Sequence, residues 1–79
     1  MEKQISAAVA SDVFHATPYL IRLPAKRLWV DYDEEVDVLY ISFEHPQRAT
    51  DSEMTEDGIL FRYRGDKLVG LTILDASTR

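Results

Sequence analysis

The sequence predicts an α+β chain, mainly β: a four- to five-stranded antiparallel meander preceded by one N-terminal helix. Three observations carry that expectation. Apolar residues recur every four positions near the start, at Ile5, Val9 and Val13. From Lys26 onward the pattern alternates with period two. The alternating runs are separated by short turn signals, His45-Pro46-Gln47, Thr55-Glu56-Asp57-Gly58 and Gly65-Asp66. Each gap is short enough for a hairpin. Residues 1–25 form the helix and an extended arm; residues 26–79 form the meander, all within one structural domain.

The helix is expected over residues 3–14. Ala7, Ala8 and Ala10 are strong helix formers, and Ala8 and Ala16 extend the apolar side. Thr17 precedes Pro18, which disfavours helical backbone, so the helix is expected to stop before it. An isolated helix of this length is marginal in water and must dock on something. Between Pro18 and Pro24, Tyr19, Ile21 and Leu23 would share one face of an extended edge strand or tethering arm.

In the first strand Leu28, Val30 and Tyr32 alternate with Trp29 and Asp31. The second spans Val36–Phe43 and is apolar on both sides, as a covered central strand would be. Arg48–Met54 is a polar edge candidate. Ile59, Phe61 and Tyr63 share a face in the fourth strand, with Leu60, Arg62 and Arg64 opposite; Val69, Leu71 and Ile73 share one in the last. Leu39, Ile41, Phe43, Ile59, Phe61, Leu71 and Ile73 are the expected core. Asp75-Ala76-Ser77 suggests a helical turn too short to form.

Composition bounds the function. With 46% hydrophobic residues the chain is globular, not disordered. At 79 residues it buries only roughly 60% of its unfolded surface. There is no cysteine, which removes disulfide staples, cysteine-ligated zinc and a thiolate nucleophile. The remaining route to stability is association of apolar faces. No apolar run reaches the about 20 residues a membrane span needs, and polar residues interrupt any signal-peptide core, so a cytoplasmic location is expected. Charge is uneven. Residues 1–30 carry four basic and two acidic side chains, net +2; residues 31–79 carry five and twelve, net −7. The acidic part repels phosphate backbones and attracts basic protein partners.

The stretch Asp31-Tyr32-Asp33-Glu34-Glu35-Val36-Asp37 concentrates five acids. A calcium loop would need converging oxygens and a glycine at its bend. No glycine is present, and a strand would spread the side chains, so the stretch reads as an acid-rich turn between strands. His45 follows Glu44, and a His–carboxylate pair can serve acid–base chemistry. It also needs a nucleophile, a pocket and an orienting group; Ser42 and Ser52 are candidates in number only. His15 lies in the helical region. Arg62, Arg64 and Lys67 form either a small basic patch or, as is commoner, pairs with acids across the sheet. Lys26-Arg27-Leu28-Trp29 mixes bases with an aromatic as single-strand binders do, but better fits a charge-guarded edge with Trp29 capping the core or an interface. The three glycines, at 58, 65 and 70, make no phosphate loop.

The second half also resembles a known family. Tyr32-Asp33-x-Glu35-x-Asp37-x-Leu39-Tyr40-Ile41 is followed by Glu53, by Asp57-Gly58-Ile59, by Tyr63, and by Val69-Gly70-Leu71-Thr72-Ile73-Leu74-Asp75-Ala76-Ser77. Over residues 28–77 this is similar to domain-of-unknown-function family 2283, short β-rich prokaryotic proteins. The Arg64-Gly65-Asp66-Lys67 turn departs from the more acidic turns usual there. The resemblance implies a small β-rich fold and carries over no catalytic residues. Some members look like partners of toxin-like proteins encoded beside them.

The expectation is therefore a non-enzymatic protein-interaction module without cofactor or metal, acting as a homo-oligomer. Ile5, Val9, Val13, Tyr19, Ile21, Leu23 and Trp29 are its expected docking surface. The alternative is an antitoxin-like partner of a small basic protein; an enzyme comes third.

Overall fold

The computed structural model describes residues 6–79. Helix α1 spans Ala7–Ile21, and Ser6 caps its start by accepting the Val9 backbone N–H at 3.4 Å. The strands follow as β1 (Trp29–Asp33), β2 (Val38–Ser42), β3 (Asp51–Met54), β4 (Ile59–Arg64) and β5 (Lys67–Ile73). A 3-10 turn, Ala76–Thr78, forms where a turn too short to form was expected. The five strands make one antiparallel sheet ordered β1-β2-β5-β4-β3.

The fold class is the one expected from the pattern, but the strand order departs from a plain meander. β1–β2 is a hairpin and β3–β4–β5 a meander. The two are joined by the β2–β5 pairing. The segment 43–50 therefore does not reverse the chain locally. It crosses β5 and β4, roughly 14 Å at the usual strand spacing, to reach the far edge. Its His45–Pro46 peptide is cis.

The helix also corrects the expectation. It does not stop before Thr17; it runs through Pro18 to Ile21, so Tyr19 and Ile21 are helical and no extended arm joins the two prolines. Pro18 removes the donor that would face the Phe14 carbonyl. That loss falls on an exposed stretch of the helix, where Phe14 is 75% exposed. The last turns are held locally. The Thr17 hydroxyl donates to the Val13 carbonyl at 2.7 Å, and Arg22 Nε donates to the Pro18 carbonyl at 3.0 Å. The Arg22 guanidinium also sits 4.9 Å over the Tyr19 ring.

No residue of α1 is buried. The molecule measures 46 × 26 × 24 Å, with a radius of gyration of 14.6 Å. A compact chain of this length would have about 12 Å. The helix projects from the sheet instead of covering it.

The strand register defines the two faces of the sheet. Val30, Ile41, Leu71 and Phe61 lie in one cross-strand row; Tyr32, Leu39, Ile73 and Ile59 lie in the next. The expected core residues thus share a face. Burial does not follow in full. Of the seven, only Phe43 is buried; Leu39, Ile41, Ile59, Phe61, Leu71 and Ile73 are half-buried because α1 leaves their face open. The densest packing is at Val69, with Val38, Phe43 and Thr72 also buried. Val69 is the extra residue of a bulge: Arg62 pairs with Gly70 and Tyr63 with Leu68.

Turn chemistry agrees with the sequence. Gly65 opens the β4–β5 reversal at φ +61, the conformation a two-residue hairpin turn asks of its first residue. At the β3–β4 turn, Thr55 exchanges backbone bonds with Ile59 and Gly58, and its hydroxyl accepts the Ile59 N–H at 3.1 Å. Both edge strands are exposed along their whole length. β1 carries Asp31 and Asp33, and β3 carries Asp51 and Glu53.

Candidate functional site

The acid-rich stretch resolves into a hairpin end with one structural carboxylate. β1 ends at Asp33, and Glu34–Asp37 make the reversal. β2 starts two residues later than expected because Asp37 is left-handed, φ 55, which breaks the strand. Asp33 accepts the Glu35 backbone N–H at 3.1 Å and tightens the bend. Asp31, Asp33, Glu34 and Glu35 stay exposed. Among the described residues no three or more His, Cys, Asp or Glu side chains converge as a metal site would require.

Asp37 differs from its neighbours. Its Oδ1 accepts the Tyr32 hydroxyl at 2.6 Å and the Ser77 N–H at 3.0 Å; its Oδ2 accepts the Ser77 hydroxyl at 2.7 Å. Its own carbonyl accepts the Ala76 N–H at 3.0 Å. The Tyr32 and Ser77 hydrogen bonds hold the Asp37 carboxyl below its ordinary range. The same bond pushes the Tyr32 hydroxyl up, helped by nearby negative charge. The opening and closing segments of the family-like pattern thus meet at one carboxylate.

A second feature lies on the face that carries Trp29, Ser42, Gly70 and Arg62 in one cross-strand row. The crossing segment 43–50 folds over it. His45 stacks on Trp29 with ring centroids 5.3 Å apart and planes at 19°. Gln47 Nε2 donates to the Ser42 hydroxyl at 2.7 Å and reaches the Val69 carbonyl at 3.5 Å. Gly70 makes this possible, because a Cβ there would overlap the Gln47 amide. A cleft of about 290 Å³ remains, bounded by Trp29, Asp31, Pro46, Tyr40, Thr72 and Arg62.

The three bases of the β4–β5 hairpin separate here. Arg64 pairs with Glu44 at 2.6 Å and Lys67 with the same carboxylate at 3.7 Å. Among the described residues Arg62 makes no salt bridge, and its Nε is buried without a hydrogen-bond partner. Pattern reading grouped Arg62 with its neighbours and did not single it out, nor Gln47. Gly70 inside a strand was the one local signal of a close approach.

The suggested acid–base groups do not assemble. Glu44 faces Arg64 and Lys67, His45 faces Trp29, and Ser42 is engaged by Gln47. His15 is remote from them, donating from Nδ1 to the Ser11 carbonyl at 2.7 Å in α1.

Of the expected docking residues, Ile5 lies outside the described residues. Val9, Val13, Tyr19 and Ile21 are exposed along α1, Ile21 at 79%; Leu23 is half-buried and Trp29 exposed beside His45. Phe14 and Leu20, which the four-residue spacing passed over, are also exposed apolar residues of α1. An apolar groove lined by Leu20, Ile21, Leu23, Pro24 and Leu28 follows the end of the helix.

Comparison with protein families adds one match. The family described as protein of unknown function (DUF2283) matches residues 29–77. The chain belongs to this family. Searches of curated proteins and of solved structures found no match. The DUF2283 region holds all five strands and the Tyr32–Asp37–Ser77 cluster, while α1 precedes it. Among the described residues no helix is long and apolar enough to cross a membrane.

Proposed function

We propose that this DUF2283 member is a non-enzymatic protein-interaction module that works as a homo-oligomer, with α1 of one copy covering the apolar sheet face of another. One observation carries the reading: α1 has no buried residue, while the sheet face bearing Leu39, Ile41, Phe61 and Leu71 is only half-buried. A lone helix of this length is marginal in water. Full burial of a large apolar side chain contributes about 1.5–3 kcal/mol, so docking Val13, Phe14 and Ile21 would offset the cost of ordering the helix. Size-exclusion chromatography with light scattering tests this. A mass at twice the chain mass or more is expected; a 9.1 kDa species across micromolar to millimolar concentrations counts against it.

A second reading has its own support. Asp31, Asp33, Glu34 and Glu35 are exposed on the β1–β2 hairpin, and none forms a salt bridge among the described residues. That surface is complementary to a small basic protein, as an antitoxin-like role would need. A small basic protein encoded next to this chain, whose toxicity co-expression relieves, would favour this reading; failure of that rescue would remove it.

A further inference from the structure

We propose that the Arg62 cleft binds a small organic monocarboxylate, its carboxylate on the Arg62 side chain and its hydrocarbon body against Trp29 and Pro46.

A buried N–H without a partner is costly, and more so when it belongs to a charged group. Arg62 is in that state although Glu44 lies near the same hairpin; Glu44 is occupied by Arg64 and Lys67. An incoming acceptor with two oxygens matches the planar fork of Arg62.

The surroundings select the class of anion. Arg62 and Asp31 are the oppositely charged residues of the cleft lining, within a chain of net charge −5. That field disfavours a phosphate dianion more than a carboxylate monoanion. The walls supply aromatic and apolar surface through Trp29 and Pro46, with the Tyr40 and Thr72 hydroxyls as further polar groups. At about 290 Å³ the cleft lies at the lower end of ligand-pocket sizes, which limits it to small molecules. It lies on the sheet face opposite the Ile41–Leu71–Phe61 row. The proposed oligomer contact would leave it open, and neither reading rests on the other.

The chain's single tryptophan gives a direct probe. The full-length protein is titrated with sodium benzoate, sodium phosphate and sodium chloride at matched ionic strength. The Arg62 Nε–H and Trp29 indole N–H resonances are followed by NMR. Benzoate is expected to shift both and saturate, while phosphate and chloride leave them near their starting positions. Arg62→Lys keeps the charge but loses the fork, and should weaken the benzoate response of Trp29 by about tenfold or more. The Val69 amide resonance reports whether that variant keeps its fold, and the wild-type Arg62 response stands without it. Resonances that track ionic strength alone overturn the proposal. So does phosphate acting as strongly as benzoate, or a folded Arg62→Lys variant that binds like wild type.

Discussion

The Asp37 carboxylate accepts the Ser77 hydroxyl at 2.7 Å across 40 positions of sequence. It ties the β1–β2 hairpin end to the 3-10 turn after β5, and Tyr32 joins from the neighbouring strand at 2.6 Å. The pKa shifts give this cluster a defined pH window. Asp37 titrates below its ordinary value of 3.8 in the folded chain, so the unfolded chain binds more protons there. Its contribution is present above that value and is lost as pH falls through the folded one. Tyr32 titrates above 10.0 when folded, so its contribution is present below pH 10.0 and fades as pH rises through the folded value. Melting temperatures of wild type and Asp37→Asn, compared between pH 7 and pH 3, should show a smaller acid loss in the variant. Tyr32→Phe should reduce the loss above pH 10.

The three partners of this cluster should behave as a unit. Tyr32→Phe, Ser77→Ala and Asp37→Ala each remove bonds to the same carboxylate. The Tyr32→Phe/Asp37→Ala double variant should therefore destabilise by less than the two singles together. Urea denaturation measures this, and strict additivity would show that the bonds do not couple.

Val69 has no exposed surface. Val69→Ala deletes two buried methyl groups and leaves a cavity at the bulge. The expected destabilisation is about 2 kcal/mol. Chemical denaturation at unchanged m-value is the check.

Gly70→Ala places a methyl group where the Gln47 amide sits. The amide must leave the Ser42 hydroxyl and the Val69 carbonyl. A loss of about 1–3 kcal/mol is expected, the range for overpacking a filled site. Gln47→Ala in the same chain should restore part of it, since the small side chain clears the space. A double variant no more stable than Gly70→Ala would place the clash elsewhere, with the Ile41 carbonyl at 3.1 Å as the next neighbour.

Phe14 and Ile21 are exposed apolar residues of α1. Phe14→Asp should lower the self-association constant by about tenfold or more, if one large anchor is worth its typical 1.5–3 kcal/mol. The melting temperature of the wild type should rise with protein concentration, and that of the variant should rise less. Light scattering and calorimetry over a dilution series measure both.

Much of this fold was legible because its signals are local. Alternation located Ile59–Arg64, and Gly65-Asp66 marked the reversal after it. What failed depended on non-local facts. Nothing in the period of β2 says that it pairs with β5 instead of β3; the length of segment 43–50 and its Pro46 were the available hints. The rule that helices end before proline failed at Pro18, in a helix with no buried residue whose last turns are held by side-chain bonds from Thr17 and Arg22. Leu39 and Ile73 were placed on the right face but only half-buried, because periodicity reports which side is apolar and not what covers it. At the Arg62 cleft, the sequence shows three bases near one another. Which of them Glu44 neutralises is a matter of side-chain reach across the folded sheet.

The acids on the outer strands bear on how copies would meet in the proposed oligomer. Backbone donors and acceptors along β1 and β3 are a template on which another chain could lay a strand, and repeated addition would grow a ribbon without end. Asp31 and Asp33 on one side, and Asp51 and Glu53 on the other, would bring like charges together in any such stack. Propagation at the margins is thereby discouraged, while broad greasy surfaces stay available for closed, finite assemblies.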